Sequence, residues 1–440
     1  MSSKPPHPAS HISTQLIHHP YQPPAGYAAP QPGVFKASTI LFPSVAAMRA
    51  RYADELGHQY TYGTKGTPTT FLLEERLCTL EGGLHCTLVP SGLAAITLVN
   101  FALLKTGDEV LLPDNVYGPS KTLADGELAH FGISHQLYDA MNPADLAAKI
   151  SSKTRLVWLE APGSVTLEFP NLPELVRICK AKGVLTALDN TWGAGLAFKP
   201  FDLGDGLGAD ISVHALTKYP SGGGDVLMGS VMVRDAALHG LIKHCHMRLG
   251  FSVGLNDVEA VLRSLPSMAL RYAAHDAAAR ELARWCQSRP EVIQVLHPAL
   301  ADSPGHEHWR ALCMNDTNPH AVSDANAGHA AGLFSIMLHE RYGSAQVDAF
   351  CDALRVFKIG FSWGGPMSLV VPYRVRSMRH LPGTADAWPA HLSHLSRGTL
   401  VRFSVGLEAV ADLQADLEQA LAQLSAASGD QRQLAAISDN

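Results

Sequence analysis

Short apolar runs alternate with longer helical stretches between residues 67 and 265. A cap at Thr67-Pro68 predicts a helix that ends at Gly82-Gly83. The predicted strands are 85–89, 109–112, 155–160, 184–188, 211–216 and 226–233, and further helices are predicted at 93–104 and from Asn171 to Gly183. Strands separated by helices in this way favour an α/β domain with a mostly parallel sheet covered on both faces.

The remainder of the chain predicts a smaller unit and two flanking segments. A helical stretch at 258–288, strands at 333–338 and 400–405, and helices at 345–356 and 408–424 indicate an α+β domain. The last helix carries an apolar stripe that favours core packing: Val410, Leu413, Leu417, Leu421 and Leu424. We therefore predict an N-terminal arm at 1–66 with a short helix at 45–54, a large domain at 67–265, a C-terminal domain at 266–425 and a disordered tail at 426–440.

Composition narrows the class of protein. Of 440 residues, 46% are hydrophobic and 17% are charged, and the net charge of -6 gives no basic surface for nucleic acid. No apolar run is long enough to cross a bilayer, and the N-terminal residues lack a secretory signal pattern. The seven cysteines are odd in number and never spaced C-x-x-C, which indicates reduced thiols in a cytoplasmic protein.

Two polar residues stand at the ends of predicted apolar strands. Lys218 follows one strand and Asp189 follows another. A buried lysine is unfavourable unless its pKa is lowered or it is consumed in a Schiff base, and a buried carboxylate can pair with a protonated pyridine nitrogen. Together they indicate a pyridoxal 5'-phosphate enzyme, whose cofactor needs both groups. Asp189 alone could equally cap a turn.

Weaker signals complete this hypothesis. Ser91 and Gly92 lie at a strand-to-helix junction, where free backbone N–H groups suit a phosphate, although such a pair is more often only a helix cap. Tyr117 could stack on the cofactor ring, although a lone tyrosine in a Gly-Pro turn is more often packing. Two histidine-rich motifs, at 306–308 and 244–246, lack a second ligand pair at metal-site spacing, so no metal is predicted.

These motifs, taken in order, resemble the Cys/Met-metabolism family of fold-type I pyridoxal-phosphate enzymes from about Lys36 to Leu424. The matching segments are 62–63, 66–69, 80–83, 90–92, 115–119, 159–164, 188–191, 216–219 and 402–408. The resemblance implies that Lys218 holds the cofactor and moves the proton, and that Asp189 pairs with the ring nitrogen. It further implies a stacking role for Tyr117 and a phosphate site made by the 91–93 segment with Thr217.

The resemblance also implies a substrate site and an oligomer. Arg402 would bind the substrate α-carboxylate, together with Ser362 and Trp363. Tyr62 would reach the active site and cofactor of a neighbouring subunit, so the family's homo-oligomer is at least a dimer and usually a tetramer. Ser91, Gly92, Leu93, Tyr117, Thr217 and Tyr62 are thus the expected cofactor contacts beside Lys218 and Asp189.

Trp363 makes the chain most similar to the cystathionine β-lyases of this family. This similarity implies α,β-elimination of an amino-acid thioether, L-cystathionine, to homocysteine, pyruvate and ammonia. A γ-lyase or γ-synthase of the same family, or a regulatory member without activity, remains an alternative. Thr64 departs from the family pattern at the phosphate contact of the cofactor, and Gly223 and Gly224 depart from it in the loop after Lys218. Met367 departs from it in the substrate pocket, which leaves the preferred thioether open.

Overall fold

The computed structural model describes residues 11–21, 23–51, 59–314, 328–379, 393, 395–396 and 398–438. Two sheets divide the described chain. The boundary predicted at 265/266 falls between them in sequence, and the division into domains stays a prediction. The end of the helix predicted at 45–54 lies outside the described residues, and the part inside them is helical at Val45–Ala50.

The larger sheet has seven strands. They are β1 His85–Val89, β2 Glu109–Pro113, β3 Ser134–Tyr138, β4 Thr154–Glu160, β5 Leu185–Asp189, β6 Ile211–His214 and β7 Gly229–Val233. Their order is β1-β7-β6-β5-β4-β2-β3, and only β7 pairs antiparallel with its neighbours. The predicted mostly parallel α/β sheet is confirmed.

Helices cover both faces of this sheet. The helices in this part of the chain are α1 Ile12–Ile17, α2 Val45–Ala50, α3 Pro68–Glu81, α4 Gly92–Leu103, α5 Gly118–Leu123, α6 Pro143–Lys149, α7 Leu172–Ala181, α8 Ala236–Leu249 and α9 Leu255–Ser264. Helix α2 buries none of its residues and takes no part in this cover. Alternate residues of β5 enter opposite cores, Leu188 on one face and Ala187 on the other. The period-2 alternation of a strand therefore builds one core on each side of the sheet.

Helix α3 shows how local sequence sets these boundaries. The Thr67 hydroxyl accepts the Thr70 backbone N–H, and the Thr70 hydroxyl accepts the Thr67 N–H, so two orphan donors are satisfied reciprocally. Pro68 occupies the first turn, where its missing N–H has no effect on the helix. Gly82 ends the helix with a φ of 84°, a conformation that favours glycine.

The smaller sheet lies in the C-terminal half. Its strands are β8 Val292–Leu296, β9 Leu333–His339, β10 Lys358–Ile359, β11 Leu369–Tyr373 and β12 Gly398–Ser404, in the order β10-β11-β12-β9-β8. The remaining helices are α10 Met268–Gln287, α11 His306–Cys313, α12 Ser344–Ala353, α13 Val375–Met378 and α14 Val410–Ser438. The predicted stripe of α14 packs into the core of this half with Phe334 and Phe403, so its assignment to core packing is confirmed.

Several predicted boundaries differ from the structure. The helix at 258–288 is divided by a 3-10 turn at Leu265–Ser267, because Pro266 cannot donate a helical hydrogen bond. The strand predicted at 211–216 ends at His214, and that predicted at 226–233 begins at Gly229. Helix α14 continues to Ser438, so a disordered tail from residue 426 is wrong over that span; the last two residues lie outside the described part.

The predicted arm is partly anchored on its own chain. Ile12 and Leu16 of α1 are fully buried in the core that lies beneath the large sheet. Within the described chain, no helix combines the length and apolar character that crossing a membrane would require. The seven cysteines are all unpaired.

Candidate active site

Lys218 lies in a turn beyond the carboxyl end of β6. Its Nζ donates a hydrogen bond to the Ser362 hydroxyl at 3.0 Å and lies 5.9 Å from the centre of the Trp363 ring. Burial, and then the nearby Arg402 guanidinium, lower the pKa of the Lys218 ammonium from 10.5 to about 8, while Asp189 acts in the opposite direction. Lys218 is therefore a partly buried amine that is far easier to deprotonate than an ordinary lysine.

The loop that contacts Lys218 is held in an unusual conformation. Ser362 has a φ of 113°, which side-chain-bearing residues rarely adopt. Gly364 follows with a φ of 75°, and a Cβ there would come within 2.8 Å of the Tyr219 backbone nitrogen. This close approach packs the loop against the backbone beside Lys218. The strain at Ser362 thus falls on the residue that bonds the candidate catalytic amine, as is common at functional sites.

Asp189 ends β5 and offers a carboxylate without a cationic partner. Its Oδ1 accepts the Thr191 backbone N–H at 3.0 Å, and no ion pair reaches it from the described residues. Burial raises the pKa of the Asp189 carboxyl, and hydrogen bonds from Thr191 oppose this effect. A partly buried carboxyl of this kind fits a ligand that brings its own positive charge, as a protonated pyridine nitrogen does.

The predicted phosphate site lies at the first turn of α4. The Ser91 hydroxyl accepts the Ala94 N–H at 3.0 Å and so caps the helix, whereas the N–H groups of Gly92 and Leu93 have no acceptor within the helix. A Cβ at Gly92 would meet the Ala215 Cβ at 2.7 Å, so glycine lets the helix end lie against the chain that leads to Lys218. This helix terminus fits an anionic phosphate.

The hydroxyl of Thr217 has its own protein partners. It donates to the Met228 carbonyl at 3.2 Å and accepts the Met228 N–H at 3.1 Å. Its hydrogen bonds join the turn before Lys218 to the chain that leads into β7. A direct contact of Thr217 with phosphate stays a prediction.

Tyr117 directly precedes α5 and is 41% exposed. Burial raises the pKa of the Tyr117 hydroxyl, and the nearby carboxyls of Asp189 and Glu160 raise it further. The Tyr117 backbone N–H donates to Glu160 Oε2 at 2.8 Å. The structure therefore places Tyr117 near Asp189 and adds Glu160, to which the sequence analysis assigned no role.

A buried ion-pair network supports the loop that carries Tyr117. The Arg379 guanidinium bonds the Asp114 carboxylate and donates to Glu168 Oε1 at 2.8 Å. The Asn115 side chain donates to the other Glu168 oxygen at 3.2 Å. These residues were not predicted, because Arg379 is more than 200 positions from its partners in sequence.

Arg402, in the middle of β12, has an unsatisfied donor. Its Nε is buried and has no hydrogen-bond partner among the described residues, and its guanidinium lies 5.4 Å from the centre of the Tyr373 ring. Burial lowers the pKa of Arg402. A partly buried guanidinium with a free donor fits a carboxylate ligand, which it can bind in a bidentate manner.

Tyr62 is not brought to this site by its own chain. Its side chain is 54% exposed, and no contact joins it to Lys218 or Asp189 within the described residues.

Of the residues that depart from the family pattern, Met367 is 54% exposed, and Gly224 has a φ of 76° that explains why glycine stands there. Within the described residues, no group of His, Cys, Asp and Glu side chains is arranged so that it could hold a metal ion.

The fold and the site together define a pyridoxal-phosphate enzyme. A model of the family described as Cys/Met metabolism PLP-dependent enzyme matches residues 13–422. The chain therefore belongs to this family, and pyridoxal phosphate is its cofactor.

Individual relatives agree with this assignment. The chain is 37% identical to a cystathionine beta-lyase of Bordetella avium over 94% of its own length and 98% of the relative. It is 32% identical to an L-alanine/L-glutamate racemase of Wolbachia pipientis, over 89% of this chain and 92% of that one. A crystal structure of cystathionine gamma synthase from Xanthomonas oryzae with cystathionine superposes with a TM-score of 0.79 at 30% identity, covering 96% of this chain and 100% of that chain.

Proposed function

We propose that the protein catalyses the α,β-elimination of L-cystathionine, with water, to homocysteine, pyruvate and ammonia. The observation that carries this proposal is the grouping of Ser362 and Trp363 against the Lys218 amine. The beta-lyase name of the Bordetella avium relative supports the same reaction. Bound pyridoxal phosphate supplies an electron sink that stabilises negative charge at the substrate Cα.

The residues of this chain divide the remaining work. Arg402 binds the α-carboxylate through its unsatisfied donor and so orients the Cα–H bond. The lowered pKa of Lys218 leaves a useful fraction of its amine uncharged at neutral pH, so that Nζ can hold the cofactor and accept the Cα proton. Asp189 keeps a proton on the ring nitrogen, and Trp363 lines the site beside the Lys218 amine.

The proposed working unit is a homo-oligomer, a tetramer built from dimers with shared active sites. Several large apolar side chains of the N-terminal segment are exposed in the single chain: Tyr27, Phe35, Leu41 and Tyr62. An exposed apolar surface of this kind is typical of a subunit contact.

The seven unpaired cysteines favour a cytoplasmic location, where thiols stay reduced. Sedimentation analysis and cell fractionation would test these two points.

The reaction is tested by the keto acid that purified, cofactor-loaded protein releases from L-cystathionine. Pyruvate supports β-elimination. Release of 2-oxobutyrate instead would assign the chain to the γ-lyases, and formation of cystathionine from cysteine and an acylated homoserine would make it a γ-synthase. The Lys218→Ala variant is the control, since it should lose both turnover and the visible absorbance of the lysine-bound cofactor.

A further inference from the structure

Two carboxyl groups lie side by side at the edge of the large sheet. Glu160 ends β4 and Asp189 ends β5, and the parallel pairing of these strands places the two residues in register. Both residues are half-buried, and both stand at the sheet edge where the candidate site lies. Two carboxylates at neighbouring positions repel each other, so both cannot carry a full charge without a cation between them.

Glu160 is the carboxyl that the chain itself engages. Its Oε2 accepts the Tyr117 backbone N–H at 2.8 Å. Tyr117 is the residue that precedes α5, and its own side chain gives that helix no cap. The Glu160 carboxyl therefore orients the backbone of Tyr117 through this hydrogen bond, although the two residues are 43 positions apart in sequence.

The surroundings of Glu160 favour its uncharged form. Burial and then Asp189 raise the pKa of Glu160 well above its ordinary value, while the Tyr117 N–H and the Lys121 ammonium act in the opposite direction. Lys121 Nζ is itself engaged by the carbonyls of Asp114 and Met378. Among the described residues, the hydroxyls of Tyr117 and of the fully buried Tyr138 on β3 also lie close enough to Glu160 for its charge to raise their pKa values. None of these groups supplies a dedicated cation to Glu160.

We propose that Glu160 is a positioning residue that stays uncharged, holds the Tyr117 N–H, and leaves Asp189 as the single negative charge at this edge of the site. The proposal rests on the proposed function in so far as Tyr117 and Asp189 contact the cofactor. A protonated carboxyl presents one acceptor oxygen and one donor hydroxyl. Glutamine presents the same pair of functions without a charge, which makes it a sharp probe.

The test measures cofactor binding in the absence of any substrate. Cofactor-free wild type and the variants Glu160→Gln and Glu160→Ala are titrated with pyridoxal phosphate, and the visible absorbance gives the dissociation constant. We expect Glu160→Ala to weaken binding about tenfold, since the Tyr117 N–H loses its acceptor, and Glu160→Gln to remain within about threefold of wild type. Glu418→Ala, an exposed glutamate of α14, is the matched control.

The outcomes separate the possibilities. Equal losses in Glu160→Gln and Glu160→Ala would overturn the proposal, because the negative charge would then be what matters, and so would an unchanged Glu160→Ala. If Glu160→Ala does not fold, Glu160→Asp replaces it, because the shorter side chain withdraws the acceptor and should also weaken binding. Failure of the proposed elimination reaction would leave these binding constants intact, so the two proposals fail separately.

Discussion

The charge of Arg402 should control how readily Lys218 takes up the cofactor. Arg402 is the second-largest cause, after burial, of the lowered pKa of Lys218. Replacement of Arg402 by Gln removes that positive charge and leaves burial of the lysine in place. The pKa of Lys218 should therefore rise in this variant. Arg402→Lys, which keeps a positive charge at the same position, is the matched control.

The magnitude follows from the pKa of Lys218. With a pKa of about 8, the amine is uncharged in about one molecule in ten at pH 7, whereas with its ordinary value of 10.5 the fraction is about one in three thousand. The environment thus raises the reactive fraction about three hundredfold. If Arg402→Gln moves the pKa up by roughly half a pH unit, the reactive fraction at pH 7 falls about threefold.

The assay follows the rate at which cofactor-free protein acquires the visible absorbance of bound pyridoxal phosphate between about pH 6 and about pH 11.5. Only the uncharged amine attacks the cofactor aldehyde, so the rate should rise with pH and level off above about 8 in wild type. The inflection should move to higher pH in Arg402→Gln and stay in place in Arg402→Lys. An inflection near pH 10.5 in wild type, or an inflection at the same pH in wild type and Arg402→Gln, would refute the reasoning.

Three further predictions concern stability. The folded-state pKa of Lys218, about 8, lies below its ordinary value of 10.5, so burial of the charged lysine destabilises the protein below about pH 8 and has no effect above about pH 10.5. Lys218→Met should therefore stabilise the cofactor-free chain by up to about 3 kcal/mol at pH 7 and by almost nothing at about pH 11, as measured by denaturant unfolding. Arg379→Met should destabilise the protein by about 3–5 kcal/mol, since it strands buried carboxylates; equal stability in urea would contradict this. The pKa of Glu168 is lowered from 4.5 to about 2, so its ionised carboxylate contributes stability above pH 4.5, and this contribution is lost as the pH falls towards 2. In acid titrations of stability, Glu168→Gln should not show this loss.

Strong local signals explain why much of the fold could be predicted. Buried strands such as β4 and β5 are mostly apolar and end on a carboxyl residue, and α3 has both its cap and its terminal glycine in sequence. Strand β3 was missed because it mixes exposed and buried positions with polar side chains. Helix α1 was missed because its burial depends on distant residues.

The same distinction holds for the site. Lys218 and Asp189 were predicted because each follows an apolar strand, and their grouping with Tyr117, Ser362, Trp363 and Arg402 is what the structure shows. Glu160 had the same signal, a carboxyl at the end of a buried strand, and could have been found from it. Its pairing with Asp189 depends on strand order, which the sequence does not state. The role of Tyr62 depends on a second subunit and stays a prediction.

The burial of α1 changes how the N-terminal segment meets other molecules. Ile12 and Leu16 fasten one end of the segment to the chain's own core, and the Thr67 cap of α3 fastens the other. The described segments between these two points, 23–51 and 59–66, are therefore flanked on both sides by parts of the same chain that are held in place. A loop whose ends are already fixed has lost part of its conformational entropy on folding, so its docking onto a second chain is less unfavourable. In the proposed oligomer, each N-terminal segment would meet its neighbour with both flanks already held by its own chain.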